Sequence, residues 1–355
     1  MQIMMCSNDI TFCPALCEAY TRRGHALAAG IPNFFMRLGH YDIVHFHWPE
    51  ELVGFRGNSA DPAKTEPILR LIDWWRERAL LVSTVHNLVP HSTDRLDSPD
   101  ARYYAAFYER MDVIGHFSEY SRRRFSEAYP AVDPAKQVVH GLNRFDHLRP
   151  LAKGRVAARQ ALGLPRDKRI FAVIGAIRKY QEMVLIERAW RAVARPDDIL
   201  LFGTRLPWQD TRGLRRTVKH ALHRMRLRNR SVHYMNRMLS DPELVEVVEA
   251  ADAVVLARFG THLNSGLFPL SMTFGTPLVA PDYGIYSEML KDDANTLYEP
   301  GNAEALAQAI RTQAGKDSAA ATAANLARAA DFGWDGILER MWPAIEKAQA
   351  SRPLG

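Results

Sequence analysis

The sequence predicts an α/β protein made of two parallel-sheet domains in tandem, and three observations predict it. Short apolar, β-branched runs alternate with longer amphipathic segments, the pattern of strands joined by helical crossovers. The alternation breaks once, in a polar stretch holding two prolines, and then restarts. The chain has 355 residues, more than one compact core usually organises.

Taken in order, the first half offers strands at 2–6, 42–47, 80–86, 113–117 and 137–140, with helical patterns at 66–78 and 99–110 between them. Ser118 stands where a helix N-cap should, with Glu119 in the first turn. The stretch PLAKGRVAARQALGLPRDKR is polar and basic, and it sets a linker at 151–169 between domains at 1–150 and 170–332. Beyond it, strands are expected at 170–175, 199–203, 232–235, 253–257 and 277–280, with helices at 241–250 and 303–314. Residues 333–355 read as an amphipathic helix that crosses back to the first domain. The result is two Rossmann-like domains facing each other across a cleft, without short-period repeats.

Composition excludes several classes. Apolar residues make up 47% and charged residues 24%, as in an ordinary water-soluble domain. No run approaches the roughly 18 uninterrupted apolar residues of a spanning helix. The N-terminus lacks the basic and apolar regions of a signal peptide. Three cysteines, Cys6, Cys13 and Cys17, suit neither a disulfide framework nor a four-ligand zinc site, so a reducing, cytoplasmic setting is expected. The net charge of +6 is concentrated between Arg212 and Arg230, where eight basic residues occur without an acid. That run reads either as a solvated helix face or as a surface for anionic lipid. No nucleic-acid-binding motif accompanies it.

Ligands of open α/β sheets gather at the carboxyl ends of strands, and four motifs fall there. In His45-Phe46-His47-Trp48-Pro49-Glu50, the two histidines share one strand face and Glu50 follows at the edge. A carboxylate or imidazole there is suited to take the proton of an attacking hydroxyl, with Trp48 as a platform for a sugar ring. In Thr84-Val85-His86-Asn87-Leu88-Val89-Pro90-His91, His86 marks the change from strand to loop. In Ile174-Gly175-Ala176-Ile177-Arg178-Lys179, a glycine lets the backbone approach a phosphate and a cation follows. In His262-Leu263-Asn264-Ser265-Gly266, Asn264 or Ser265 is placed to cap a helix whose free N–H groups meet an anion. Neither a GxGxxG nor a GxxxxGK[ST] sequence occurs.

The ordered set YDIVHFHWPE, STVHNLVPH, GAIRKY and HLNSG…LSMTFGTPLVAP resembles the GT-B glycosyltransferases. Within them it is most similar to bacterial exopolysaccharide transferases of the xanthan-gum β-1,4-mannosyltransferase type, over about residues 40–285. The resemblance implies a nucleotide-sugar donor as substrate and no cofactor. Gly175, Arg178 and Lys179 would hold its pyrophosphate, and His262, Asn264, Ser265 and Gly266 would close over the phosphates. The nucleoside would lie against Gly203–Arg205 and the loop 235–237. His86 would approach the donor sugar, and Glu50 and His47 would face the acceptor, with Trp48 and His91 beside it. Two departures stand out. Where related retaining enzymes carry paired glutamates, this chain has His262 and Leu270, and a lysine expected near the pyrophosphate is Gln181.

These features point to an inverting, metal-independent transfer of a hexose, mannose from GDP-mannose as the first expectation, onto a polyprenyl-diphosphate-linked glycan. UDP-sugar transfer on the same fold and an inactive nucleotide-sugar-binding subunit are the alternatives. No Asp-x-Asp sits at a strand end to ask for a metal. Peripheral contact with the inner membrane face, involving Phe34, Phe35 and Met36 beside Arg37, is expected, and nucleic acid is not.

Overall fold

Two all-parallel, six-stranded sheets form where the apolar runs lie, because a strand buried on both faces must be apolar along its whole length. The computed structural model describes residues 1–9, 13–55, 58–90, 93, 95–177, 179–207, 213–228, 230–258 and 263–352. The first sheet consists of β1 (Gln2–Cys6), β2 (Ala26–Ala29), β3 (Ile43–Phe46), β4 (Leu80–Thr84), β5 (Val113–His116) and β6 (Gln137–Val139). Their spatial order is β2-β1-β3-β4-β5-β6. The second consists of β7 (Arg169–Ile174), β8 (Asp198–Gly203), β9 (Val232–Tyr234), β10 (Ala253–Val255), β11 (Leu278–Pro281) and β12 (Thr296–Tyr298). Its order is β12-β11-β10-β7-β8-β9.

The ten expected strands all exist, with no end moved by more than two residues. Strands β2 and β12 were not expected. The sequence ALAA of β2 favours helix over strand, and only pairing of Gln2–Met5 with Ala26–Ala29 makes it extended. The three residues of β12 are too few for periodicity to register.

Alternation along the first sheet feeds two cores. Ile3, Met5, Ile43, Leu80, Val82 and Val113 point to one face, and Met4, Cys6, Val44, Phe46, Leu81 and Ile114 to the other. The helix Trp334–Ala350 covers the first face with Trp334, Ile337, Leu338, Met341 and Ile345. Arg340 Nε donates to the His140 carbonyl at 2.6 Å. Phe34 is buried in the other core, while Phe35 and Met36 are exposed. The second sheet packs Phe171, Val173, Leu200 and Phe202 against Trp190 and the helices flanking it.

The chain divides into two compact units, one of Met1–Asn143, His262–Asn264 and Phe332–Gly355, the other of Arg144–Thr261 and Ser265–Asp331. The stretch 151–169 is therefore not a free linker. It forms the helix Arg155–Ala161 within the second unit. Arg159, 5% exposed, donates to Asp252 at 2.7 Å and to the carbonyls of Ala250, Arg166 and Lys168. Asp252 also accepts from Arg155 and from the Ile170 backbone. Most of the stretch does meet solvent, but Arg159 turns inward to this ion pair and ties the stretch to the second unit.

Removing Asp252 would leave the Arg159 guanidinium buried without its counter-charge, so Asp252→Ala should destabilise the fold by about 3 kcal/mol. Chemical denaturation checks this; a loss below about 1 kcal/mol, the range of an exposed pair, would show that the carbonyls alone satisfy Arg159.

Candidate functional site

Each sheet has one gap where the strand order reverses, between β1 and β3 in the first and between β7 and β10 in the second. Crossovers on the two sides of such a gap leave in opposite directions, so side chains at the carboxyl ends stay uncovered there.

In the first unit, β1 delivers Ser7 and Asp9 to this gap and β3 delivers His47, Trp48 and Glu51. His45 and His47 share a face, as period two requires, with ring centroids 4.9 Å apart. His45 is fully buried between the Tyr20 hydroxyl and Thr84 Oγ1, each at 3.0 Å. His47 Nδ1 lies 2.9 Å from His86 Nε2, so one of the two rings donates to the other. Trp48 stacks on His86 at 4.2 Å, and its indole N–H donates to Asp9 at 3.3 Å. The platform thus has one face against an imidazole.

The two glutamates part company. Trp48 ends the strand, Pro49 starts the 3-10 turn Pro49–Val53, and the turn sends successive side chains in different directions. Glu50 is not presented at the edge: it is 2% exposed and its charge is felt by Tyr103, Tyr104 and Tyr108 in the core. Glu51 is half-buried at the gap, where it accepts from Ser7 Oγ at 2.7 Å and from the Asn8 N–H at 3.3 Å. Burial pushes the Glu51 carboxyl upward, against the lowering effect of these hydrogen bonds. Glu51 and Asp9 went unnoticed in the sequence, although both follow directly on strands that it predicts.

In the second unit, Gly175 ends β7 with φ +72°, and a Cβ there would lie 2.7 Å from Leu267 Cδ1 and 3.2 Å from an Arg258 nitrogen. Only glycine lets the backbone turn in that space. Thr204 Oγ1, just after β8, donates to the Gly175 carbonyl at 2.6 Å. Arg258, just beyond β10, donates to the Ala176 carbonyl and lies 3.6 Å from Glu182. It is the cation at this gap that sequence reasoning missed. Lys179 is exposed at the N-cap of the helix Tyr180–Val193, where Glu182 accepts from its backbone N–H at 3.4 Å. Arg205 is exposed after β8, and Asn236 at φ +50° accepts from the Leu206 N–H, shaping the loop beside it. Gly203 has a packing reason as well, since a Cβ would meet Val247 at 2.7 Å.

The capping role expected of Asn264 or Ser265 is not what the structure has. Gly266 occupies the N-cap of the helix Leu267–Thr273, with no side-chain cap. Asn264 belongs to the first unit and donates to the carbonyls of Val85 and His86 at 3.2 and 3.0 Å, and Ser265 hydrogen-bonds Tyr286. The amide thus serves two carbonyls just beyond β4 instead of the helix N-terminus. Leu270 is buried in the core. His91, Arg178 and His262 lie outside the described residues.

Residues 168–314 match the model of the family described as "Glycosyl transferases group 1". The curated relatives include the D-inositol 3-phosphate glycosyltransferase of Mycolicibacterium paratuberculosis, 28% identical over 334 residues, covering 87% of this chain and 68% of that one. The GDP-mannose:glycolipid 4-beta-D-mannosyltransferase of Xanthomonas campestris pv. campestris is 26% identical over 259 residues, covering 70% and 65%. The chain is a glycosyltransferase. Its architecture is GT-B: Anabaena Alr3699/HepE, solved with UDP and glucose, superposes with a TM-score of 0.73 at 15% identity, covering 98% of this transferase and 100% of that chain. Sucrose-phosphate synthase of Thermosynechococcus elongatus gives 0.71 at 17% identity, covering 99% and 100%.

Five histidines crowd the carboxyl ends of β3 to β6, and burial holds several of them neutral. It pushes His47 down to about 4 and His116 and His140 down to about 3, from an ordinary 6.5. Below pH 6.5 the unfolded chain binds protons that the folded transferase refuses, so stability is full above that pH and falls toward pH 4. His47 alone should account for on the order of 3 kcal/mol by pH 4. Melting temperatures across pH 7 to 4 check this, and His116→Gln should give a shallower decline than the parent.

Proposed function

We propose that this transferase moves a hexose, mannose from GDP-mannose, onto a polyprenyl-diphosphate-linked glycan, with inversion and without a bound metal or cofactor. The observation that carries the donor assignment is the β7–β10 gap, where a glycine-only backbone turn and Arg258 stand together. Exposed Lys179 and Arg205 border it. Backbone N–H groups and guanidinium are the groups that bind a diphosphate, and they stabilise the charge that develops on it as it leaves. The mannolipid-forming relative from Xanthomonas favours GDP-mannose and a lipid-linked acceptor. UDP-sugars are the second reading, favoured by the UDP-bound Anabaena neighbour.

Proton transfer falls to the first unit. Glu51 takes the proton of the acceptor hydroxyl, the freed oxygen bonds to the anomeric carbon, and the nucleoside diphosphate departs with the bonding pair. A half-buried carboxylate of raised basicity suits this better than Glu50, which faces tyrosines. His86 and Trp48 supply a ring-shaped surface beside it. With Leu270 in the place of a second glutamate, no carboxylate of the helix Leu267–Thr273 is available to a ribose.

Thermal-shift measurements with GDP-mannose, UDP-glucose, UDP-glucuronate and UDP-N-acetylglucosamine test the donor. A ligand at about 100 times its dissociation constant adds roughly 2.7 kcal/mol, and Arg258→Ala should abolish the response. GDP-mannose is expected to respond; a response to one UDP-sugar alone would move the donor to uridine, and silence throughout would overturn the assignment. Glu51→Gln should lower kcat by about 10² or more with donor binding retained. An unchanged kcat in Glu51→Gln would remove the carboxylate from the chemistry.

A further inference from the structure

The basic run has a definite structure. It forms the helix Leu214–Arg226, which is held to the second unit by one face only. Glu187, fully buried, accepts from His223 Nδ1 at 2.6 Å and from Arg226 at 2.8 Å, and the Tyr234 hydroxyl meets His223 Nε2 at 2.7 Å. Leu227 completes this anchor. A fixed buried charge thereby sets the rotation of the helix, and everything opposite His223 is turned outward.

What is turned outward is apolar. Leu214 is 78% exposed, Val218 47% and Met225 64%, with Ala221 between them. At 3.6 residues per turn these four fall within about 60° of one another, on the side opposite His223. Exposed Arg224 and Arg228 flank the ridge on one side and exposed Arg215 on the other. None of these three arginines has an acidic partner among the described residues, and the helix has no acid at all. Beside the end of the ridge is a groove of about 490 Å³, lined by Arg224, Arg228 and Arg230 together with Met225 and Tyr234.

We infer that this helix docks the enzyme on an anionic bilayer surface, its apolar ridge entering the headgroup boundary and its arginines pairing with lipid phosphates. An apolar ridge flanked by cations on a helix of low overall hydrophobicity is the form that lies in a membrane interface. A nucleic acid would match the arginines and leave Leu214, Val218 and Met225 in water. The groove offers guanidinium forks where a headgroup phosphate would sit, next to Met225 at its acyl side. The inference rests on the second unit alone and is independent of which donor the enzyme uses.

Flotation with vesicles of phosphatidylcholine, with and without phosphatidylglycerol, tests it on the full chain. Binding is expected only with the anionic lipid and should weaken as salt rises. At about 1 kcal/mol, or roughly fivefold, per arginine near the surface, the triple variant Arg215→Gln/Arg224→Gln/Arg228→Gln should lower the partition coefficient on the order of 100-fold. The double variant Val218→Ser/Met225→Ser should also weaken it, with the charge intact. All five positions are exposed, so both variants should keep the parent melting temperature and its shift with donor. Absence of flotation overturns the proposal, as does binding that the triple variant retains. A charge-only dependence, in which the serine variant binds like the parent and RNA competes, assigns the face to polyanions and overturns it too.

Discussion

Parallel pairing constrains this molecule more than any other feature. A parallel sheet sends every strand's carboxyl end to the same edge, and a reversal of strand order leaves one gap along that edge free of crossovers. Both sheets have such a gap. One receives Ser7, Asp9, Trp48 and Glu51, the other Gly175, Thr204 and Arg258. These residues are far apart in the chain and come together because their strands end at the same level.

Burial then sorts groups that look alike. Five histidines end up at the carboxyl ends of β3 to β6, yet deep placement holds His47, His116 and His140 neutral, so they serve as shaped aromatic and hydrogen-bonding surfaces rather than charges. One step along a 3-10 turn separates Glu50, among core tyrosines, from Glu51, on a serine hydroxyl and a backbone N–H. The same sorting in the second unit buries Glu187 to fix a helix and leaves Arg215, Arg216 and Arg224 in solvent.

Much of the fold was legible because the periodic signals were strong. Runs such as LLVST and RIFAVI are apolar at nearly every position, and the cap at Ser118 has its hydrogen bond from the Ser121 N–H at 3.0 Å. The failures have physical reasons. The stretch 151–169 reads as a linker because most of it is exposed and polar, yet Arg159 ties it into the second unit through Asp252, some 93 residues later. Asn264 was read as a local cap, and its amide went to carbonyls about 178 residues earlier. Local propensity cannot weigh a competitor that only tertiary structure brings near.

By itself the sequence determined the α/β class and the two-sheet organisation, since these depend on patterns spanning a few residues. Tertiary structure alone decided which of two adjacent glutamates meets Ser7 after β1, that Arg258 stands beside Gly175, and which face of the basic helix meets solvent. Those outcomes rest on burial and on long-range partners. A side chain's direction and ionisation are set by what surrounds it in space, and its neighbours in the chain do not specify that.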